Sequence, residues 1–155
     1  MKIPIKDIIS ATGVRISSKD AAAILGITPE RLREWFVRGY VYAFQRPAGS
    51  GTRIAFSRGD LYFAAIFKEL IDFGVNREDA RKLTKGIGVM SDNPKPHIIS
   101  FVVNEDRSKP VVIKNADLDI KEYLELRKDE YRQFHIINLW KIQKSVDKAI
   151  DELLK

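Results

Sequence analysis

The chain has 155 residues, which is enough for one domain and an added element but short of two full-size domains. Hydrophobic residues make up 45% and charged residues 31% of the sequence, a balance typical of folded chains and not of disordered ones. The formal net charge of +6 is compatible with an anionic partner but does not establish one. The sequence contains no cysteine, which excludes disulfides, thiolate metal sites and thiol redox sensing.

The sequence contains no segment typical of export or of membrane insertion. Residues 1–14 lack the continuous apolar stretch of about 7 to 15 residues that a signal peptide requires. Isoleucines at helical spacing instead predict a short amphipathic helix over residues 2–12. No segment approaches the about 18 apolar residues that indicate a membrane helix. We therefore expect a cytoplasmic protein with no membrane partner.

Two short helices are predicted between residues 17 and 39. A serine within residues 17–20 caps the first helix, which ends at Gly26. Thr28 caps the second helix, with Pro29 at its first position, and Gly39 closes it. Two short helices joined by a turn of three or four residues that contains glycine are typical of a helix-turn-helix.

A β-hairpin, or wing, is predicted after Gly39. Residues 40–44 and 52–56 favour strands because they are rich in β-branched and aromatic side chains. Residues 47–51 between them are rich in turn-forming residues.

Two further helices complete the first predicted domain, which spans residues 1–86. Ser57 starts the first of them, and Gly74 ends it. Its broad apolar face consists of Phe63, Ile66, Phe67, Leu70 and Phe73. Asn76 caps the second, which reaches Lys85.

The rest of the chain predicts a linker, a second hairpin and a long helix. Turn-forming residues dominate 87–96, which indicates a linker. The β-rich runs 97–103 and 110–114 flank a polar turn and predict a hairpin. From residue 117 onward the chain has no Gly or Pro, which favours a long helix, either continuous or broken near 128–130.

The second half of this predicted helix carries a seam of apolar residues at alternating steps of three and four. The seam consists of Leu139, Ile142, Val146, Ala149 and Leu153. Because the helix has no predicted partner in its own chain, we expect a coiled-coil homodimer to cover this seam. The second domain is therefore predicted over 97–155 as a hairpin plus a long dimerisation helix, and the fold class as mainly α with small β elements.

Arginines concentrate in the helix-turn-helix and the wing. Between Thr28 and Asp60 the sequence has six arginines, three acids and no lysine. The guanidinium presents a planar fork that can engage a phosphate or a guanine edge through two hydrogen bonds, whereas lysine offers a mobile point charge. In a helix-turn-helix the second helix enters the major groove of DNA. The predicted surface for double-stranded DNA consists of Ser18, Thr28, Pro29, Arg31, Arg33, Arg38, Arg46, Ser50, Thr52 and Arg53.

Within this surface we expect different roles for different arginines. Arg31 lies in the N-terminal half of the second helix and is expected to face bases. Arg33, two positions on, lies on another side of the helix and is better placed for phosphate or for structure. Each arginine taken singly also fits an ordinary solvated face, and it is the cluster that favours DNA binding.

The order of these motifs resembles the DNA-binding head of MerR-type transcriptional regulators. The resemblance covers residues 18–83 and includes the segments "AAAILGITPERLREWFVRGYV", "GTRIAF" and "DLYFAAIFKELIDFGVNREDARKL". The residues at matching places are Leu32, Arg33, Trp35, Phe36, Gly39, Gly51, Arg53 and Gly74. The resemblance implies a winged helix-turn-helix and a homodimer on a pseudo-palindromic site. It also implies that Arg33 and Arg53 contact the DNA backbone.

The sequence departs from the family pattern at several points. Phe56 stands where the family usually has tyrosine, so a hydroxyl contact to phosphate is not expected there. The aromatic pair Trp35-Phe36 comes one residue later than usual, after Glu34. The extension through Val14 is also unusual for the family.

No cofactor, metal site or enzymatic activity is predicted. His97 and His135 are far apart in the sequence, and His135 falls in register with the predicted seam. No catalytic triad, Walker-type loop or metal-ligand spacing is visible. We expect a nucleoid-associated transcriptional regulator, and any small-molecule effector is left open. The alternatives are a DNA-architectural or excisionase-like factor and a protein-interaction adaptor with a degenerate helix-turn-helix.

Overall fold

A computed structural model describes residues 14–43, 53–87, 98–103, 111–114, 120–129 and 133–155. These residues are mainly helical, with two small antiparallel sheets. The helices are α1 (Ser18–Leu25), α2 (Pro29–Val37), α3 (Arg58–Asp72), α4 (Arg77–Ile87), α5 (Ile120–Arg127) and α6 (Leu139–Leu153). The strands are β1 (Ile16–Ser17), β2 (Ala55–Phe56), β3 (Ile98–Val103), β4 (Val111–Lys114) and β5 (Gln133–Asn138). The predicted helix over 2–12, the wing tip and most of the predicted linker lie outside the described residues.

The chain divides into two compact units. The first comprises Met1–Lys68 together with Lys144–Lys155, and the second comprises Glu69–Gln143. This division differs from the predicted domains 1–86 and 97–155. Residues 144–155, which were predicted to belong to the second domain, fall in the same unit as residues 1–68 instead.

Local side-chain chemistry determines where α1 begins and ends. The Ser17 hydroxyl accepts a hydrogen bond from the Asp20 backbone N–H at 3.1 Å and donates one to the Asp20 carboxylate at 2.8 Å. Gly26 ends the helix in the left-handed conformation, with φ of 66°. The inner face of the helix buries Ala21 and Leu25. The predicted Ser cap and glycine stop are confirmed.

The strand that precedes α3 pairs with a segment that the sequence did not single out. Antiparallel pairing joins Ile16 to Phe56 and Ser17 to Ala55. In the predicted wing, the described residues 40–43 form no strand, so the predicted pairing of 40–44 with 52–56 is not found there. Val41 and Ala43 are buried instead, at 3% and 7% exposure.

Helix α3 contributes the largest share of the first unit's core. Ser57 and Asp60 form a reciprocal cap, because each backbone N–H donates to the other's side chain, at 2.9 and 3.1 Å. The fully buried residues of this helix are Leu61, Ala64, Ile66 and Phe67 in the first unit, and Leu70 in the second. The prediction that Phe73 lies on the same apolar face is wrong. Phe73 follows the end of the helix at Asp72 and is 66% exposed.

The second unit contains α4 and a three-stranded sheet. The Asn76 side chain caps α4 by accepting from the Asp79 backbone N–H at 2.9 Å. The sheet has the order β4-β3-β5, with both pairings antiparallel. The predicted hairpin is confirmed as β3 and β4, with Phe101 opposite Val112.

The prediction of one continuous C-terminal helix is wrong, whereas the alternative of a break near residues 128–130 is confirmed, because the first helix ends at Arg127. Residues 120–127 form the short helix α5, residues 133–138 form β5, and only residues 139–153 form α6. The segment Phe134–Ile137 is made of aromatic, histidine and β-branched residues, and it pairs with β3 with Phe101 opposite His135. His135 therefore lies in a strand and not in a helical seam.

The predicted seam is partly buried within a single chain. Leu139 and Val146 are 1% and 5% exposed, whereas Leu153 is 45% exposed. Ile142 and Ala149 are half-buried. Because part of the seam is already buried within one chain, the sequence pattern no longer requires a second copy of the chain to cover it.

Candidate nucleic-acid interface

Helix α2 is fixed at both ends by hydrogen bonds. The Thr28 hydroxyl accepts from the Arg31 backbone N–H at 3.2 Å, and Pro29 occupies the first helical position, where no N–H is needed. At the other end Gly39 adopts a φ of 74° and donates to the Phe36 carbonyl at 3.1 Å. Both predicted end signals of this helix are confirmed. The cap therefore sets the direction in which the helix leaves the turn.

The inner face of α2 anchors the helix to the core. Leu32 is 1% exposed and Trp35 is fully buried. The Trp35 ring meets Phe67 edge-on, with ring centroids 4.9 Å apart, and Tyr40 stacks on Phe67 at 5.6 Å. The Trp35 indole nitrogen has no hydrogen-bond partner among the described residues. Rotation of α2 about its axis would remove the contact between Trp35 and Phe67, so the opposite face of the helix has a defined orientation.

The outer face of α2 carries most of the predicted site residues that the structure describes. Thr28, Pro29, Arg31, Arg33 and Arg38 are all exposed. Ser18, at the start of α1, is half-buried. Of the four other predicted residues, Arg53 is exposed, and Arg46, Ser50 and Thr52 lie outside the described residues.

The two N-terminal arginines of α2 differ in their surroundings. The Arg31 guanidinium carbon lies 5.2 Å from the centroid of the Trp35 ring. The two residues are one helical turn apart, which allows the guanidinium to lie against the ring. Arg33 is exposed on another side of the helix.

Arg38 is engaged within its own helix. Its Nε lies 3.3 Å from a carboxylate oxygen of Glu34, one turn earlier. The two side chains are 58% and 40% exposed, so the pair adds little stability in water. Its main consequence is electrostatic, because Glu34 offsets a positive charge at the C-terminal end of α2.

The β1–β2 pairing brings a further exposed arginine towards the start of α1. Arg53 is exposed and stands two residues before Ala55, which pairs with Ser17. Ser17 is the N-cap of α1, and Ser18 is the first residue of that helix. Helix N-termini favour anions because their free N–H groups and the helix dipole both present positive charge. The strand pairing therefore places Ala55 opposite the N-cap of α1, with the cationic Arg53 two residues before it in the chain.

Arg58, the sixth arginine of the cluster, is engaged in an ion pair. Its Nη1 donates to the Asp147 carboxylate at 2.5 Å, and its Nη2 lies 3.4 Å from Asp151. The Tyr62 hydroxyl donates to the same Asp147 oxygen. Burial lowers the pKa of Arg58, but the hydrogen bonds and charges of Asp147 and Tyr62 outweigh that effect and raise it.

Sequence reasoning missed this cluster, although the sequence contained a signal for it. Arg58 and Tyr62 are four residues apart on one helix, and Asp147 and Asp151 are four residues apart on another. Two complementary pairs at helical spacing are the pattern expected of facing helices. The separation of 89 positions between Arg58 and Asp147 hides that pattern from local analysis.

Two properties of the described ranges bear on other kinds of site. No helix in those ranges combines the length and the apolar character that a membrane crossing requires. Within the same part of the chain, no group of three or more His, Asp or Glu side chains is arranged to hold a metal ion.

Comparison with known proteins identified no family. The chain matches no protein-family model and no curated protein.

Proposed function

We propose that the protein is a sequence-specific transcriptional regulator that binds double-stranded DNA through a winged helix-turn-helix. Helices α1 and α2 form the two helices of the motif, and α2 is the recognition helix. One observation carries the proposal: α2 is anchored by the buried Trp35 while Arg31 and Arg33 stand exposed on it. An anchored helix with exposed arginines is what major-groove recognition requires.

The arginines divide between base and phosphate contacts in this proposal. Arg31 lies in the N-terminal half of α2, where side chains of a recognition helix meet base edges. Arg33 and Arg53 contact phosphates on either side of the groove, and the start of α1 adds backbone N–H groups near Arg53. Arg38 contributes less than these three, because Glu34 lies beside it.

We also propose that the protein acts as a homodimer. A pair of recognition helices one duplex turn apart converts weak half-site binding into useful affinity. Val146 is buried in the single chain, so the dimer contact uses the exposed end of the predicted seam instead. Leu153 and Leu154 are 45% and 58% exposed there.

Selection of bound fragments from a random pool of duplex DNA tests the proposal. We expect the full chain to enrich a motif with inverted symmetry and fixed half-site spacing at moderate salt. The control is a variant with Arg31→Ala and Arg33→Ala, which keeps the buried face of α2 and should enrich nothing. Binding without enrichment would favour an architectural factor, and absence of binding would favour a protein-interaction adaptor.

A further inference from the structure

The last helix contributes to the core of the unit that contains α1 and α2. Residues 144–155 belong to the same compact unit as α1, α2 and the first part of α3. Val146 is 5% exposed and Ile150 is fully buried, one turn apart on α6. Burial of two aliphatic side chains one turn apart is what a helix packed into a core shows. Residues 144–153 of α6 are therefore part of this unit, whereas residues 139–143 belong to the second unit.

The Asp147 carboxylate on α6 makes polar contacts with the beginning of α3. Asp147 accepts hydrogen bonds from Arg58 and from Tyr62, which lie one turn apart at the beginning of α3. Its side chain is 25% exposed and that of Arg58 is 30% exposed, so water screens the pair less than it screens a surface ion pair. Loss of Asp147 would leave the partly buried Arg58 with only the more exposed Asp151, 3.4 Å away, as its ion-pair partner.

The beginning of α3 is connected directly to the proposed DNA-binding elements. Ser57 caps α3, and the preceding residues Ala55 and Phe56 form β2. Strand β2 pairs with β1, which leads into α1. Arg53 lies two residues before the same strand. The position of the first turn of α3 therefore influences the position of Arg53 and of the α1 N-terminus.

We infer that residues 144–155 form part of the core of the proposed DNA-binding head, which is the unit of residues 1–68 and 144–155. Asp147 is a positioning residue for this head and acts through Arg58. This inference rests on the proposed function for its effect on DNA. It assigns α6 an intramolecular role where the sequence pattern indicated dimerisation alone. A truncated protein that ends before residue 144 would therefore lack part of the core of this head.

The test compares two substitutions in the full chain that change the net charge equally. Asp147→Asn removes the carboxylate that Arg58 and Tyr62 share, whereas Asp151→Asn removes a carboxylate that is 65% exposed and 3.4 Å from Arg58. A general electrostatic effect on DNA binding should be the same for both. We expect Asp147→Asn to bind duplex DNA more weakly than Asp151→Asn, with an unchanged salt dependence because no phosphate contact is lost.

Hydrogen exchange supplies a measurement that is independent of DNA. We expect amide exchange in residues 61–66 and 146–153 to accelerate about tenfold or more in Asp147→Asn, and to change little in Asp151→Asn. If Asp147→Asn does not fold, Tyr62→Phe removes one of the two hydrogen bonds while keeping the ring, and a smaller change in the same direction is expected.

Two results would overturn the inference. Equal exchange and equal DNA affinity in the two Asn variants would show that the head does not depend on Asp147. Tighter binding by Asp147→Asn with a steeper salt dependence would show that Asp147 instead masks Arg58 from phosphate. If the unaltered chain does not bind DNA at all, the proposed function fails, but the exchange comparison still decides whether α6 stabilises the head.

Discussion

The guanidinium of Arg31 lies over the ring of Trp35, with its central carbon 5.2 Å from the ring centroid. Trp35 is fully buried and Arg31 is exposed, so the arginine covers the outer surface of a core residue. This contact restricts the rotamers of Arg31 before any ligand binds, which lowers the entropy lost when the guanidinium engages a base.

Arg31→Ala should weaken binding to the preferred DNA site more than to random DNA. A lost base contact costs about 1 to 3 kcal/mol on the preferred site only. Arg31→Lys should not restore the loss, because lysine has no planar fork. The measurement is the ratio of the two affinities for each variant, with Arg33→Ala as the control that should weaken both equally. Equal losses for Arg31→Ala on both DNAs would exclude base recognition by this residue.

Arg53→Ala should lower affinity for all sequences and flatten the salt dependence. Loss of one phosphate contact reduces the slope of log affinity against log salt by about one unit. Lys148→Ala is a suitable control, because Lys148 is an exposed cation on α6 outside the proposed interface. An unchanged slope in Arg53→Ala would mean that Arg53 does not contact phosphate.

Glu34→Gln should tighten DNA binding. The substitution removes a negative charge from α2 and releases Arg38 from the contact at 3.3 Å. An exposed pair of this kind corresponds to about a twofold to fivefold change in affinity. Glu30→Gln removes the same charge from an exposed position on the same helix and serves as the control. Equal gains in both variants would show that only net charge matters and that Arg38 takes no part.

Thr28→Ala should destabilise the first unit by about 1 kcal/mol, because the Arg31 backbone N–H loses its acceptor. Thr28→Ser keeps the hydroxyl and should retain most of the stability. Urea denaturation of the two variants measures the difference. Equal stability of the Ala and Ser variants would show that the Thr28 cap does not stabilise the helix.

The ends of the helices could be predicted from the sequence because local chemistry determines them. Ser17, Thr28, Ser57 and Asn76 each accept a hydrogen bond from a backbone N–H three residues later. Gly39 adopts the positive φ expected of a residue that closes a helix. These features depend on residues within one turn of each other, so a single sequence contains the necessary information.

Features that depend on distant partners could not be predicted in the same way. The segment Phe134–Ile137 lies in a stretch without Gly or Pro, which permits a helix, and only pairing with β3 makes it a strand. The apolar residues Leu139 and Val146 of the predicted seam fit a dimer contact and an intramolecular face equally well by spacing alone. Their burial in one chain decides between the two readings for those residues.

Binding of duplex DNA by the exposed face of α2 can be tested by measuring the affinity of the full chain for duplex DNA over a series of salt concentrations. Contacts from Arg33 and Arg53 to phosphate predict an affinity that falls steeply as salt rises, with a linear log–log slope of about −2 or steeper. Absence of binding at low salt, or an affinity that does not change with salt, would show that these arginines do not bind the DNA backbone.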